Sequence, residues 1–100
     1  MIICKVIGTV VASVKHKDLV ASKLLIVQEI ISENEMKGKD LFVATDSVGA
    51  GDGDVVLVTR GSNASADGSF ASAMKMIPID ASIVGIVDNF SIDGKIKFRK

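Results

Sequence analysis

The sequence predicts a mainly β protein folded as a small closed or nearly closed barrel, and three observations carry that prediction. Residues alternate with a period of two at the amino terminus, several strand-length runs rich in Val and Ile are punctuated by Gly and Asp, and an Asp-Gly pair joins two short runs near the carboxyl end. Five or six short strands with little helix suggest a small closed or nearly closed barrel. At 100 residues the chain makes one domain, 1–100, and no internal repeat is evident.

From Ile2 to Val14 the even positions are Ile2, Cys4, Val6, Gly8, Val10, Ala12 and Val14, and the odd ones include Lys5, Thr9 and Ser13. This pattern predicts a strand with a bend or bulge at Gly8. Lys15 to Ser22 reads as a polar loop. The run KLLIVQEII follows, and its branched residues favour a strand buried on both faces over a helix. Ser32 to Lys39 is a charged turn ending near Gly38, and DLFVATD is the next strand. The stretch DSVGAGDGDVVLVTRG then completes a strand–turn–strand unit. Small polar residues between Gly61 and Met76 allow at most a short helical turn. Pro78 stands at the entrance of ASIVGIVDNF, where a strand tolerates proline. Asp93-Gly94 predicts a type I′ turn and a carboxyl-terminal β-hairpin, with Lys95, Lys97 and Arg99 alternating with Ile96 and Phe98.

Composition narrows the function classes. Twelve basic and twelve acidic side chains cancel, so no net field gathers nucleic acid or an anionic membrane surface. Hydrophobic residues make up 48% of the chain but aromatic ones only 4%, an aliphatic excess that points to buried contacts between subunits. The amino terminus carries Lys5 early and lacks the uninterrupted apolar run of a membrane span or a leader, and the reading is of a cytoplasmic protein. Cys4, the single cysteine, reads as a small buried hydrophobe, and His16 between Lys15 and Lys17 as a solvated loop residue. No nucleophile, base and orienting group stand together, so the chain is expected not to be an enzyme and to need no cofactor.

The glycine-rich stretch from Asp46 to Gly61 admits three readings. A phosphate cradle needs glycines before a helix, whereas here a strand follows and Asp52 and Asp54 would repel the anion. A calcium loop has carboxylates in Asp46, Asp52 and Asp54 but lacks the spacing and the closing Glu of an EF-hand, so no metal is expected. A tight turn set against other backbone remains. Asp80 and Asp88 bracket a strand, which in extended chain separates them by about 26 Å, too far for paired acid–base work. The basic tail Lys95, Lys97, Arg99 and Lys100 is either the solvated face of the hairpin or a docking surface.

Taken in order, VIGTVVASVKH, KLLIVQ, VATDSVGAGDGDVVLV, GSNAS and PIDASIVGIVD resemble the EutN/CcmL family of bacterial microcompartment shell vertex proteins over nearly the whole chain. The most specific parts are a loop motif at Asp46, Gly49, Ala50, Gly51, Gly53 and Asp54, and a strand motif at Asp80, Gly85, Ile86, Val87 and Asp88. The resemblance implies an OB-like five-stranded β-barrel without enzymatic activity. It also implies assembly as a ring, with a pentamer expected and a hexamer left open. Such a ring would cap the five-fold vertices of a cytoplasmic shell whose facets are hexameric tiles. Three positions depart from the family pattern: Asp54 for a usual Glu, Ala21 for a frequent Gly, and Ser65 where an Arg is usual.

Two expectations follow from the resemblance. Gly49-Ala50-Gly51 would approach the central axis or a subunit contact, where five copies crowd and bulk is excluded. Lys95, Lys97, Arg99 and Lys100 would lie on the outer rim against acidic neighbours. The competing reading is an OB-type ligand-binding module for oligonucleotides or sugars, for which Phe42, Phe70, Phe90 and Phe98 are the only rings available to stack on bases.

Overall fold

The computed structural model describes residues 1–12, 23–61 and 80–100. The expected loop at Lys15–Ser22, the short helical turn, His16, Ala21, Ser65, Phe70 and Pro78 lie outside the described residues. Eight strands are present among those described: β1 (Ile2–Val10), β2 (Lys23–Ser32), β3 (Glu35–Met36), β4 (Phe42–Asp46), β5 (Val55–Arg60), β6 (Ala81–Ile86), β7 (Asn89–Ile92) and β8 (Lys95–Arg99).

Five of them form a ring of pairings in the order β1-β5-β6-β4-β2, closed by β1 against β2. All these pairings are antiparallel except β4 with β6, the one parallel contact. This is the Greek-key order of an OB-like barrel, as the sequence and its resemblance imply. The expected strand, turn and strand are present as β4, the glycine loop and β5, but the two strands are not paired with each other, because β6 is inserted between them. The loop therefore crosses from one side of β6 to the other.

The barrel is filled by Cys4 and Val6 of β1, Leu25 and Val27 of β2, Ala44 of β4, Val56 and Val58 of β5, Ala81 and Ile83 of β6, and Ala50 from the loop. Residues two apart on each strand point inward, which is why the alternation was legible. On β1, however, the pairing shifts between Val6 and Gly8, so Gly8 lies opposite Ile26 and Val10 opposite Leu24. Leu25 and Val27 point into the core, so Ile26 and Leu24 point out, and Gly8 and Val10 share their outward face. The expected bulge at Gly8 is present, and the extra residue, Ile7, swaps the faces beyond it. The expectation that β2 is buried on both faces holds in part: Leu25 and Val27 are buried on the inner face and Ile30 on the outer one, whereas Leu24 and Ile26 are only half-buried and Ile31 is exposed. The charged turn after β2 also contains an unexpected strand, with Met36 opposite Ile30 and Glu35 opposite Ser32.

The terminal hairpin forms as expected. Asp93 (φ 51°) and Gly94 (φ 76°) both take the left-handed conformation that a two-residue I′ turn demands. Phe90 and Phe98 stack with ring centroids 6.4 Å apart. Phe98 closes a second cluster with Ile30 and Val55, flanked by Ile3, Met36, Val87 and Phe90, so the hairpin covers part of the barrel's outer face. Its regular alternation is interrupted, because Phe90 pairs with Phe98 and Ser91 with Ile96, leaving Lys97 as an extra residue.

Candidate functional site

The glycine loop is held by its own carboxylates. Asp46, at the end of β4, accepts the Val48 N–H on Oδ1 (3.0 Å) and the Ala50 N–H on Oδ2 (2.8 Å). The side chain of Asp46 is 1% exposed, and the Lys23 ammonium stands 3.9 Å from its Oδ2. That ammonium also donates to the carbonyl of Ala50, so one cation spans the base of the loop. Four residues on, Asp54 Oδ2 accepts the Gly51 N–H (2.9 Å) and the Asp54 N–H returns to the Gly51 carbonyl (3.0 Å). With Gly53 at φ 86°, Gly51 to Asp54 has the sign pattern of a type II turn, whose third position requires glycine. The loop is then stitched to β1, since Gly53 N–H donates to the Val6 carbonyl and Val6 N–H to that of Asp54, each at 2.9 Å.

The geometry separates residues that the motif lists together. Ala50 is fully buried and belongs to the barrel core, so its small side chain answers to packing within one chain. Gly49, Asp52 and Gly53 are exposed and Gly51 is half-buried. Among the described residues a side chain at Gly49, Gly51 or Gly53 would meet nothing within 4 Å, although Gly49 (φ 87°) and Gly53 need glycine for their backbone. Gly51 alone of the three is a glycine for which the described residues provide neither a steric nor a conformational reason. The two loop carboxylates with a fixed role, Asp46 and Asp54, are engaged by backbone N–H groups. Among the described residues no three His, Cys, Asp or Glu side chains gather in a way that could hold a metal.

The strand motif carries the chain out of the barrel. Asp80 is exposed and its carbonyl accepts the Gly61 N–H (2.8 Å). Gly85 lies opposite Leu57, and Ile86 lies opposite Val56 and packs on the core. Val87 N–H bonds to the Val55 carbonyl (2.7 Å), and the exposed Asp88 receives the Lys100 N–H on its carbonyl (2.8 Å). The motif's two aspartates thus mark the entry to β6 and the start of the hairpin, and they are not brought together. In the basic tail, Lys95, Arg99 and Lys100 are exposed, while Lys97 is half-buried and its carbonyl accepts the Glu33 N–H (2.8 Å). The bulge thus breaks the one-sided alternation on which a continuous basic face would depend.

Sequence reasoning missed several contacts. Arg60 lies over the ring of Phe42, its guanidinium carbon 4.1 Å from the centroid, a cation–π contact beside the barrel core. Phe42, Phe90 and Phe98 are therefore all engaged within the chain. Lys23 was not singled out as partner of the loop, because the two are distant in sequence and only the β2–β4 pairing of Lys23 with Asp46 joins them. Burial pushes the Cys4 thiol up to about 12, assisted by Glu29 across the strand pair and opposed by Arg60, so it stays protonated and unreactive.

Comparison with known proteins places this geometry. Residues 1–88 match the family described as "Ethanolamine utilisation protein EutN/carboxysome", a match that ends where the hairpin begins. The chain is 38% identical over 95 residues to the bacterial microcompartment shell vertex protein EutN of Salmonella typhimurium, covering 95% of this chain and 91% of that protein. The structure of CcmL from Gloeobacter violaceus superposes with a TM-score of 0.84 at 36% identity, covering 100% of this chain and 98% of that one. The pentameric microcompartment shell protein GrpN of Rhodospirillum rubrum superposes with a TM-score of 0.74 at 38% identity, over 92% of this chain and 98% of its own. Identity at this level over nearly full length is a relation of family and not of fold alone, and the chain belongs to the EutN/CcmL family of bacterial microcompartment shell vertex proteins.

Proposed function

We propose that this chain is a structural protein that assembles as a homopentamer and caps the vertices of a bacterial microcompartment inside the cytoplasm. The observation that carries the reading is the near full-length likeness to a relative described as pentameric. A flat sheet of hexagonal tiles cannot close on itself, and five-fold positions supply the missing curvature. Hexameric shell tiles of the same compartment are then its neighbours, and the work of the chain is geometric, with no reaction to catalyse.

Two parts of this reading concern particular residues. The outward members of the loop, Gly49, Gly51 and Gly53, face the central axis or a subunit contact, supported by the open space around them among the described residues. Ala50→Trp would not test this, because it overfills the core of one chain. Gly51→Leu does, since a Cβ there meets nothing within 4 Å among the described residues. Lys95, Arg99 and Lys100, with Lys97 as the least exposed member, form the rim that meets the tiles. Native mass spectrometry of the purified chain, with light scattering at several concentrations, tests the ring. A pentamer is expected, and a monomer at all concentrations overturns the reading. Co-expression with shell tiles tests the vertex role, because closed shells are expected only when this chain is present.

A further inference from the structure

We propose that the ring contact joins two opposite flanks of the barrel. The outward face of β1, β2 and β4 of one copy, where Ile7, Ile26 and Val43 stand out, seats against the β5–β6 face of the next, in the hollow left by Gly85 beside Leu57. This inference rests on the ring reading above.

The first flank is built by the bulge in β1. Because the extra residue turns Gly8 outward, Ile26 lies over a position without a side chain, and a Cβ at Gly8 would stand 3.4 Å from its Cδ1. On its other side Ile26 pairs with Val43. Val43 is 43% exposed and Ile7 42%, so the three make an aliphatic knob spread over adjacent strands.

The second flank lies across the ring. β2 is separated from β5 by β1 and from β6 by β4, so the β5–β6 face is the far side of the barrel. Leu57 and Gly85 face each other there, on the side of the strands away from the inward-pointing Val56, Val58 and Ile83. The hairpin cluster covers Ile3, Val55 and Val87 on this face but does not include Leu57 or Gly85. Gly85 does not have a left-handed backbone, and among the described residues a Cβ there would meet only Leu57, at 3.6 and 4.0 Å, an ordinary contact. The described residues therefore give no reason for glycine at this strand position, where it weakens the sheet. Glycine inside a strand is the usual sign that another backbone or side chain comes close.

A second copy is the occupant that fits. A closed ring needs two different, mutually complementary patches on separate sides of each subunit, and an aliphatic knob facing an uncharged hollow across the barrel is that arrangement. None of the five side positions carries charge, which favours a dry contact over one with an anionic partner.

The test is native mass spectrometry on the full chain and its variants, with far-UV circular dichroism as the check on folding. Given a pentameric parent, Gly85→Leu and Val43→Glu are expected to run as folded monomers. Gly85→Ala, whose Cβ the described residues accommodate, is expected to raise the concentration of half-dissociation at least tenfold. If Gly85→Leu fails to fold, Gly85→Ala decides. Pentamers as tight as the parent's for both Gly85→Ala and Val43→Glu would overturn the placement and leave the ring itself standing, whereas a monomeric parent would overturn the ring.

Discussion

The glycine loop and the terminal hairpin are both tight turns rich in Gly and Asp, yet they are held in opposite ways. The loop satisfies itself: Asp46 and Asp54 accept three backbone N–H groups, Lys23 ties its base, and Ala50 is sealed into the main core. The hairpin has its I′ turn but leans on a small second cluster, carries a bulge at Lys97, and leaves Ile92 and Ile96 46% and 54% exposed. A two-stranded hairpin is marginal by itself, so its order depends on what Phe98 packs against. The difference teaches that the loop is built into the barrel, whereas the hairpin is attached to it through one small cluster.

The sharpest way to break this comparison is Asp46→Ala. It strips the acceptor from two N–H groups and leaves the Lys23 ammonium without its carboxylate, and a loss of about 3 kcal/mol is expected by urea denaturation. A loss below about 1 kcal/mol would mean that water replaces the carboxylate and the loop is not built into the barrel. Ala50→Leu comes next, with about 2 kcal/mol expected from overfilling a closed core. Phe98→Ala should instead loosen the hairpin locally, so amide exchange is expected to rise in residues 89–100 while the barrel amides stay protected. Uniform loss of protection would show that hairpin and barrel fold as one.

Smaller effects refine the picture. Gly53→Ala forces a side chain into the left-handed region and should cost about 1 kcal/mol, whereas Gly51→Ala should leave stability within about 0.5 kcal/mol. Equal losses at the two positions would contradict the turn assignment. The Cys4 thiol has its folded value raised above its ordinary one, so its contribution is fully present below pH 9 and is lost as pH rises toward 12. Stability should therefore fall over that window in the parent and fall less in Cys4→Ala, measured relative to each protein's value at pH 8. Replacing Lys95, Lys97, Arg99 and Lys100 together by Gln should change stability by less than about 0.5 kcal/mol and weaken incorporation into shells, and unchanged incorporation would remove the rim assignment.

The sequence alone determined the local chemistry of this protein. Alternation at Cys4 and Val6 marked an inward face, Gly8 marked a bulge, and Asp93-Gly94 marked a I′ turn, because each depends on neighbours a few residues away. The motif residues also pointed to the family before any contact was known. Tertiary structure decided everything that depends on strands distant in the chain. The insertion of β6 between β4 and β5 made the glycine loop a crossover, the pairing of Lys23 with Asp46 supplied the loop's cation, and burial set Ala50 apart from its neighbouring glycines. The physical reason is that period and turn chemistry are properties of short segments, whereas strand order and burial arise only when remote segments close the barrel on one another.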